Sequence, residues 1–402
     1  VVKEDHSVGV VAVSVVVRAG SRSETEAENG ISHLMEHMLF KGTASRGVGE
    51  IDREIEGMGG IINAGTTQDF TNYWIVSATA DYPQALRILA DAVMHPLFPA
   101  SELEKEKRII FEEIRGAEVG PQGTLSRLVA EAAYPTHPYG RPIPGTPESL
   151  SGITREMLLA YHRKWYHPGN TSVVIVGDVD PAAAGRMVEA AFAGFPAAAA
   201  PNPHYAVPPL RLRMTELRES RPVRRTYFTM AFAAPPITKP EDVAAMDVLV
   251  TLLGDGFSSR QGRLVDMISA DFLTQRDPGL LHIWAVCAPD QVAAARASIL
   301  SEVDRLRTEP VAAAELAKAK RVLEVAYAFS NETYADQADT LGFYEGIATA
   351  QFALDYVAAI RRVSAADLTA VASRYLDPRR YVWAVVEPEA GTAPSASPGD
   401  QP

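Results

Sequence analysis

The sequence predicts an α+β protein built from two homologous α/β sandwich domains, each an antiparallel-rich sheet covered by helices, related by internal duplication. Three observations predict it. Strand-like and helix-like stretches are mixed, with hairpin-like neighbouring strands, an order that favours a sandwich over a doubly wound parallel sheet. A block of the first half recurs 210 residues later. The 402 residues exceed one ordinary domain and fit two or three. Hydrophobic residues (47%) and charged residues (22%) stand near globular averages, which excludes wholesale disorder.

Along the chain, the β-branched run Val8–Val17 reads as a buried strand, and polar Ser21–Asn29 as a loop. Gly30, with Ser32 as N-cap, introduces a helix over His33–Phe40. Past Gly59 and Gly60, Ile61–Thr67 and Asn72–Thr79 read as a strand pair, with Tyr73 and Trp74 in its core. Helices are expected over Pro83–Met94, Ser101–Glu118 and, after the Pro/Gly-rich loop His137–Gly145, Arg155–Trp165. The strand Ser172–Val176 closes the half. The repeated block pairs Ile153–Ala160 and Trp165–Pro168 with Val363–Ala370 and Tyr375–Pro378, each followed by a hydrophobic strand. Ala- and Pro-rich residues Ala197–Pro209 read as a connector, and nothing after Glu389 offers apolar surface to bury. The expected organisation is a domain at 1–200, a linker at 201–212, a second domain at 213–388 and a disordered tail at 389–402.

Charge and composition narrow the function. The 38 Lys and Arg against 50 Asp and Glu leave a net charge of −12, without the basic stripe of a nucleic-acid binder. The single cysteine, Cys287, excludes an internal disulfide framework and a cysteine-based zinc site. No apolar run approaches the roughly 18 residues of a membrane span. The chain starts at Val1 in what reads as a strand, so a preceding segment such as a signal peptide is expected.

The chemistry-bearing stretch is His33-Leu-Met-Glu-His37. On a helix His33, Glu36 and His37 share a face, so two imidazoles one turn apart can bind one Zn²⁺ while the carboxylate handles a water. The alternative is an amphipathic helix with solvated histidines. In the helix Ser101–Glu118, Leu103, Glu106, Ile110, Glu113 and Ile114 fall on one stripe, with Glu112 opposite. Carboxylates in an apolar stripe need compensation, either by a cation or by Lys or Arg partners at a solvated edge. The other histidines (His6, His95, His137, His162, His167, His204 and His282) lack a partner at ligand spacing and read as structural or solvated.

The His-x-x-Glu-His motif, Glu113 lying 76 residues beyond His37, and the phrases Asn29–Thr43, Ile62–Thr66, Ile110–Ile114 and His137–Gly140 together resemble the pitrilysin family of inverzincin metallopeptidases. The branch is that of mitochondrial processing peptidase and its bacterial relatives, and the resemblance runs from Val8 to Val386. It implies one Zn²⁺ per chain held by His33, His37 and Glu113, with Glu36 as general base and Glu106 as a carboxylate orienting a ligand. It implies that Asn63 and Ala64 lie on an edge strand binding extended peptide, although Asn63 also suits a turn. Leu253–Arg260 resembles the family's glycine-containing loop; without a lysine after a strand–loop unit it reads as a turn opening a helix rather than a phosphate cradle. The family pairs an Arg and a Tyr seven residues apart to hold the substrate carbonyl. Here Tyr344 is in place, as a catalytic residue, but Gln337 stands where the Arg belongs.

The expectation is a zinc endopeptidase acting on peptides or short unfolded segments, soluble, in the bacterial periplasm or cytoplasm. Gln337 favours a heterodimer with a homologous metal-free subunit. The alternatives are a self-sufficient homodimer and a non-catalytic structural subunit resembling the core proteins of respiratory complexes.

Overall fold

The computed structural model describes residues 1–199, 212–260 and 264–389, with Glu118 and 255–260 described by backbone alone. The first half runs β1 (Val2–Glu4), β2 (Val10–Val17), α1 (Ile31–Leu39), α2 (Glu50–Gly57), β3 (Ile61–Thr66), β4 (Thr71–Ala78), α3 (Tyr82–Met94), α4 (Ala100–Val119), α5 (Pro121–Ala133), α6 (Pro147–Gly152), α7 (Arg155–Trp165), β5 (Thr171–Gly177) and α8 (Pro181–Ala191). The second runs β6 (Thr215–Arg221), β7 (Thr226–Ala233), α9 (Pro240–Arg260), β8 (Met267–Phe272), β9 (Leu280–Cys287), α10 (Val292–Thr308), α11 (Ala313–Phe329), α12 (Tyr334–Ile347), α13 (Gln351–Arg362), α14 (Ala365–Tyr375) and β10 (Val382–Pro388). Most of the connector, and the tail past Glu389, lie outside the described residues, as does His204.

Two five-stranded sheets form with the same order, β1-β5-β2-β4-β3 and β6-β10-β7-β9-β8. In each, the first pair is parallel and the rest antiparallel. This is the duplicated α+β sandwich, and α7 and α14, whose first residues are 210 apart, occupy matching places before β5 and β10.

The chain sorts into compact units otherwise than by a single break at 201–212. One unit comprises Val1–Gly116, Thr136–Ala206 and Val325–Val357; the other comprises Ala117–Pro135, Val207–Glu324 and Ala358–Pro402. The reason lies in β2. Val11, Val13, Val15 and Val17 face the core under α1, α3 and α7, but Ser14 and Val16 on the opposite face are buried as well. A strand buried on both faces needs a second covering layer. In this unit it comes from α12, which packs on β2 and β5; in the other unit α5 packs on β10 and β7.

Several local expectations change. Gly30, at φ 95°, is the N-cap of α1, and Ser32 lies inside the helix, its hydroxyl 2.7 Å from that of Tyr161. Leu253–Arg260 is the end of α9 rather than a turn opening a helix, because the apolar run from Val243 to Leu253 is buried and carries the helix onward. No described helix is long and apolar enough to cross a membrane.

Candidate active site

Helix α1 is short and two-faced. Ile31, Leu34, Met35, Met38 and Leu39 are fully buried, which turns His33, Glu36 and His37 to the other side, half-buried. The helix start is held from outside by Glu24, itself 1% exposed. Its carboxylate accepts hydrogen bonds from the Gly30 N–H (3.0 Å), the Ser32 N–H (2.9 Å) and the Asn29 amide (3.0 Å). Burial nevertheless pushes Glu24 up to about 7.

Helix α4 supplies the carboxylates. Leu103, Ile110 and Ile114 anchor it in the core, Glu106 is buried beside them, and Glu113 reaches the exposed end of the same stripe. Glu112 points elsewhere and pairs with Arg115 at 2.9 Å. Glu113 Oε2 stands 3.8 Å from His33 Nε2 and 3.9 Å from His37 Nε2, and one ligand atom from each of the three residues lies within 4.8 Å of the others. Among the described residues this is the one such group of His, Cys, Asp or Glu.

These three residues fit a zinc ion. Tetrahedral ligands about 2.0–2.1 Å from the metal lie roughly 3.3 Å apart, so the three atoms are nearly in place. His37 Nδ1 is 3.0 Å from Glu106 Oε2, which fixes the ring and leaves Nε2 for the metal. The other Glu106 oxygen pairs with Lys41 Nζ at 2.9 Å, so the buried carboxylate serves both the histidine and a lysine just past α1. Burial, with a smaller contribution from His37, holds His33 down at about 4, so its imidazole is neutral at physiological pH. Its Nδ1 is buried without a hydrogen bond, and Nε2 is the nitrogen on the Glu113 side.

Glu36 stays apart from the ligand set. Its Oε2 accepts a 2.6 Å hydrogen bond from the Thr66 hydroxyl, and burial raises its pKa despite that bond. Thr66 ends β3, the edge strand of the sheet. Asn63 and Ala64 lie on that strand, opposite Trp74 and Tyr73 of β4. The Ala64 N–H is turned from β4 onto the Asn63 side-chain oxygen at 2.8 Å, so it belongs to the open edge.

Tyr344 and Gln337 lie on α12. Tyr344 is 9% exposed, stacked on Phe352 with ring centroids 5.0 Å apart and edge-on to Phe343. Gln337 is engaged at both ends of its amide, accepting from Lys3 Nζ (2.6 Å) and donating to the Asn331 carbonyl (3.1 Å). Four of the other described histidines have hydrogen-bond partners that hold them in place: His6 lies between Glu4 and Asp178, His95 beside Asp91, His162 against the Val93 carbonyl, and His137 accepts from the Tyr139 N–H. Sequence reasoning missed Glu24, Lys41 and Thr66. Lys41 and Thr66 fall inside phrases it singled out, whereas Glu24 sat in a stretch read only as polar loop.

An α/β duplication bearing two histidines and a glutamate around a zinc-sized gap, with a second carboxylate held alongside by a threonine, defines a metallopeptidase-like scaffold. Residues 1–147 match the family described as Insulinase (Peptidase family M16), and residues 152–323 match Peptidase M16 inactive domain. The chain belongs to the M16 peptidase family. It is 27% identical over 406 residues to the uncharacterized zinc protease YmxG of Bacillus subtilis, covering 98% of this chain and 97% of that one. It is 26% identical over 396 residues to the zinc protease PqqE of Helicobacter pylori, covering 96% and 89%. The crystal structure of a protease from Helicobacter pylori superposes with a TM-score of 0.89 at 25% identity, covering 95% of each chain.

Proposed function

We propose that this protein is a zinc-dependent endopeptidase whose reaction centre lies in the first unit. The observation that carries the reading is the separation of roles around α1: His33, His37 and Glu113 converge, while Glu36 on the same face is held by Thr66 instead. A zinc ion held by the three supplies Lewis-acid polarisation of a water or a peptide carbonyl oxygen. Glu36, its pKa raised by burial, takes the proton of the attacking water and returns it to the leaving amine. Glu106 keeps His37 in its ligand orientation, and the Asn63–Ala64 edge of β3 holds the peptide as an added strand. The N–H of Ala64 exchanges its Asn63 partner for a substrate carbonyl.

The reading extends to assembly. With Gln337 tied between Lys3 and Asn331, this chain offers no guanidinium at that position. A homologous metal-free subunit supplies the charged donor in a heterodimer, and Tyr344 remains a packing residue; in a homodimer Tyr344 itself serves the substrate carbonyl. The test is Glu36→Gln, expected to retain about one zinc per chain and to lose about 10²- to 10⁴-fold in peptide hydrolysis. An undiminished rate in the zinc-loaded variant overturns the base assignment. Gain of activity on adding a homologous subunit, with partial rescue by Gln337→Arg, separates heterodimer from homodimer.

A further inference from the structure

Helix geometry alone does not explain why Glu36 stands apart from the metal ligands. It shares with His33 and His37 the face of α1 turned from the core, and it is close enough to His37 and Glu113 to feel their charge. A carboxylate oxygen is an ordinary zinc ligand, and a tetrahedral zinc held by three side chains has one position left. A Glu36 side chain free to turn would fill that position and close the site, as in structural zinc centres, leaving a water no place. Yet among the described residues the convergent ligand atoms come from His33, His37 and Glu113 alone.

The contact that holds Glu36 away is Thr66. Its hydroxyl donates to Glu36 Oε2 at 2.6 Å, the short distance expected of a hydroxyl on a carboxylate. That hydroxyl has one proton, and its other neighbours compete poorly. The Ser32 carbonyl and the Thr71 hydroxyl are both 3.5 Å away, and Thr71 gives its own proton to the Ala19 carbonyl at 2.8 Å. Strand alternation puts Ile62, Ala64 and Thr66 on one face of β3; the first two pack against the core and the third meets α1. Thr66 is also firmly set. It stands opposite Thr71 in the hairpin, and its β-branched side chain has few rotamers. The turn beyond it is locked by the Thr67 hydroxyl, which accepts from the Asp69 and Phe70 N–H groups (3.1 and 3.0 Å) and donates to the Phe70 carbonyl (3.0 Å). The chain ahead of α1 closes on the same turn, the Ser21 and Arg22 N–H groups donating to the Thr67 and Gln68 carbonyls at 3.2 and 2.8 Å. A Cβ at Gly20 would fall 2.2 Å from the Thr67 oxygen, so glycine is what lets the two segments meet.

We propose that Thr66 is a positioning residue that keeps Glu36 from becoming a fourth ligand, and so keeps one coordination position open for water. The inference rests on the zinc-peptidase reading and names the contact that makes such a site catalytic rather than structural. The test compares Thr66→Val, which keeps the branched shape without the hydroxyl, with Thr66→Ser, which keeps the hydroxyl. In Thr66→Val, kcat for peptide hydrolysis should fall about 10- to 100-fold with KM unchanged, while zinc affinity rises above that of the parent. Thr66→Ser should return both toward the parent values. Co²⁺ in place of zinc reports the donor set: the visible absorption of Co²⁺-loaded Thr66→Val should differ from that of the parent. In a Glu36→Gln background, Thr66→Val should change neither the absorption nor the zinc affinity. A fall in kcat with unchanged Co²⁺ absorption overturns the proposal, as does a gain in zinc affinity that survives Glu36→Gln. A parent chain that binds neither zinc nor Co²⁺ overturns the metal reading and the proposal together. A parent that binds and hydrolyses, with Thr66→Val behaving identically, removes the role of Thr66 alone.

Discussion

The two units share a sheet order but use it differently. After β2, the first unit places α1, whose buried apolar face leaves two histidines and a glutamate on the other side. At the matching point after β7, the second unit places α9, where Val243, Met246, Leu249 and Leu253 are buried and no histidine appears. The opposite sheet faces differ as well. Ser14 lies across from Trp74 as Thr229 lies across from Trp284, yet α12 closes tightly on the first pair's face through Gly342 and Gly346, while α5 leaves a cavity over the second. The scaffold therefore fixes where helices and strands run, and the chemistry depends on which side chains and glycines each copy carries.

The largest expected effect breaks the comparison at its metal-binding side. Glu113→Gln should lose zinc affinity by more than the roughly 10- to 100-fold that loss of an outer partner costs, because it removes one of the three proposed ligands. Glu112→Gln, whose carboxylate pairs with Arg115 instead, should bind nearly as the parent does. Zinc competition with a chromogenic chelator checks both, and comparable losses in the two folded variants would sink the helical-face argument. Next comes Lys41→Met. It leaves the buried Glu106 carboxylate without its cationic partner, loosening the hold on His37, and should weaken zinc binding about 10- to 100-fold. Lys41→Arg should restore most of that affinity; no rescue would show that only packing was lost.

Much of this site was legible because it is local. One helical turn carries His33, Glu36 and His37, and a seven-residue interval on α4 carries Glu106 and Glu113, so helical geometry alone groups them. Strands β2 to β5 and β10, and the matching blocks before β5 and β10, were legible from periodicity and from the 210-residue recurrence, whereas β6 to β9 were not read. What escaped depends on long-range contact. Helix α5, capped by Gly120 and starting at Pro121, was assigned no element from the sequence, although Pro at a first helical turn is well placed. Its membership in the second unit, and that of α12 in the first, follows from sheets buried on both faces, which no local pattern states. Glu24 looks like any loop glutamate until the fold closes over it.

The third effect concerns how α1 and α9 begin. Helix α9 starts with Pro240, which has no N–H to satisfy, whereas α1 rests on the buried Glu24. Glu24 lies near 7 in the folded chain against 4.5 for a free glutamate. The folded state thus binds this proton more tightly than the unfolded one. Its stability contribution is full below pH about 4.5 and is lost as pH rises through about 7, by about 3 kcal/mol over the whole window. Urea unfolding at pH 5 and pH 8 should show the parent losing stability with pH, and Glu24→Gln should flatten that difference. An identical slope in the variant would remove Glu24 as its source.

The smallest effect sharpens the contrast between the two covered faces. A Cβ at Gly346 of α12 would come within 2.6 Å of the Phe70 ring and 3.2 Å of Phe70 Cβ. Those atoms lie at the root of a side chain that is 4% exposed and in edge contact with Phe343, so it has little room to turn aside. Gly346→Ala therefore sets an overpacking cost of about 1–3 kcal/mol against a helix-propensity gain of about 1 kcal/mol. The net should be a loss of about 1 kcal/mol and a fall in Tm of about 2–4 °C. On α5, Ser126 faces the cavity and makes no side-chain hydrogen bond among the described residues. Ser126→Ala should gain a few tenths of a kcal/mol from propensity and leave Tm level or slightly raised. Calorimetry on the two variants reads the difference directly. If Gly346→Ala melts at or above the parent temperature, α12 is not packed as closely as the glycines imply, and the two faces differ less than their side chains suggest.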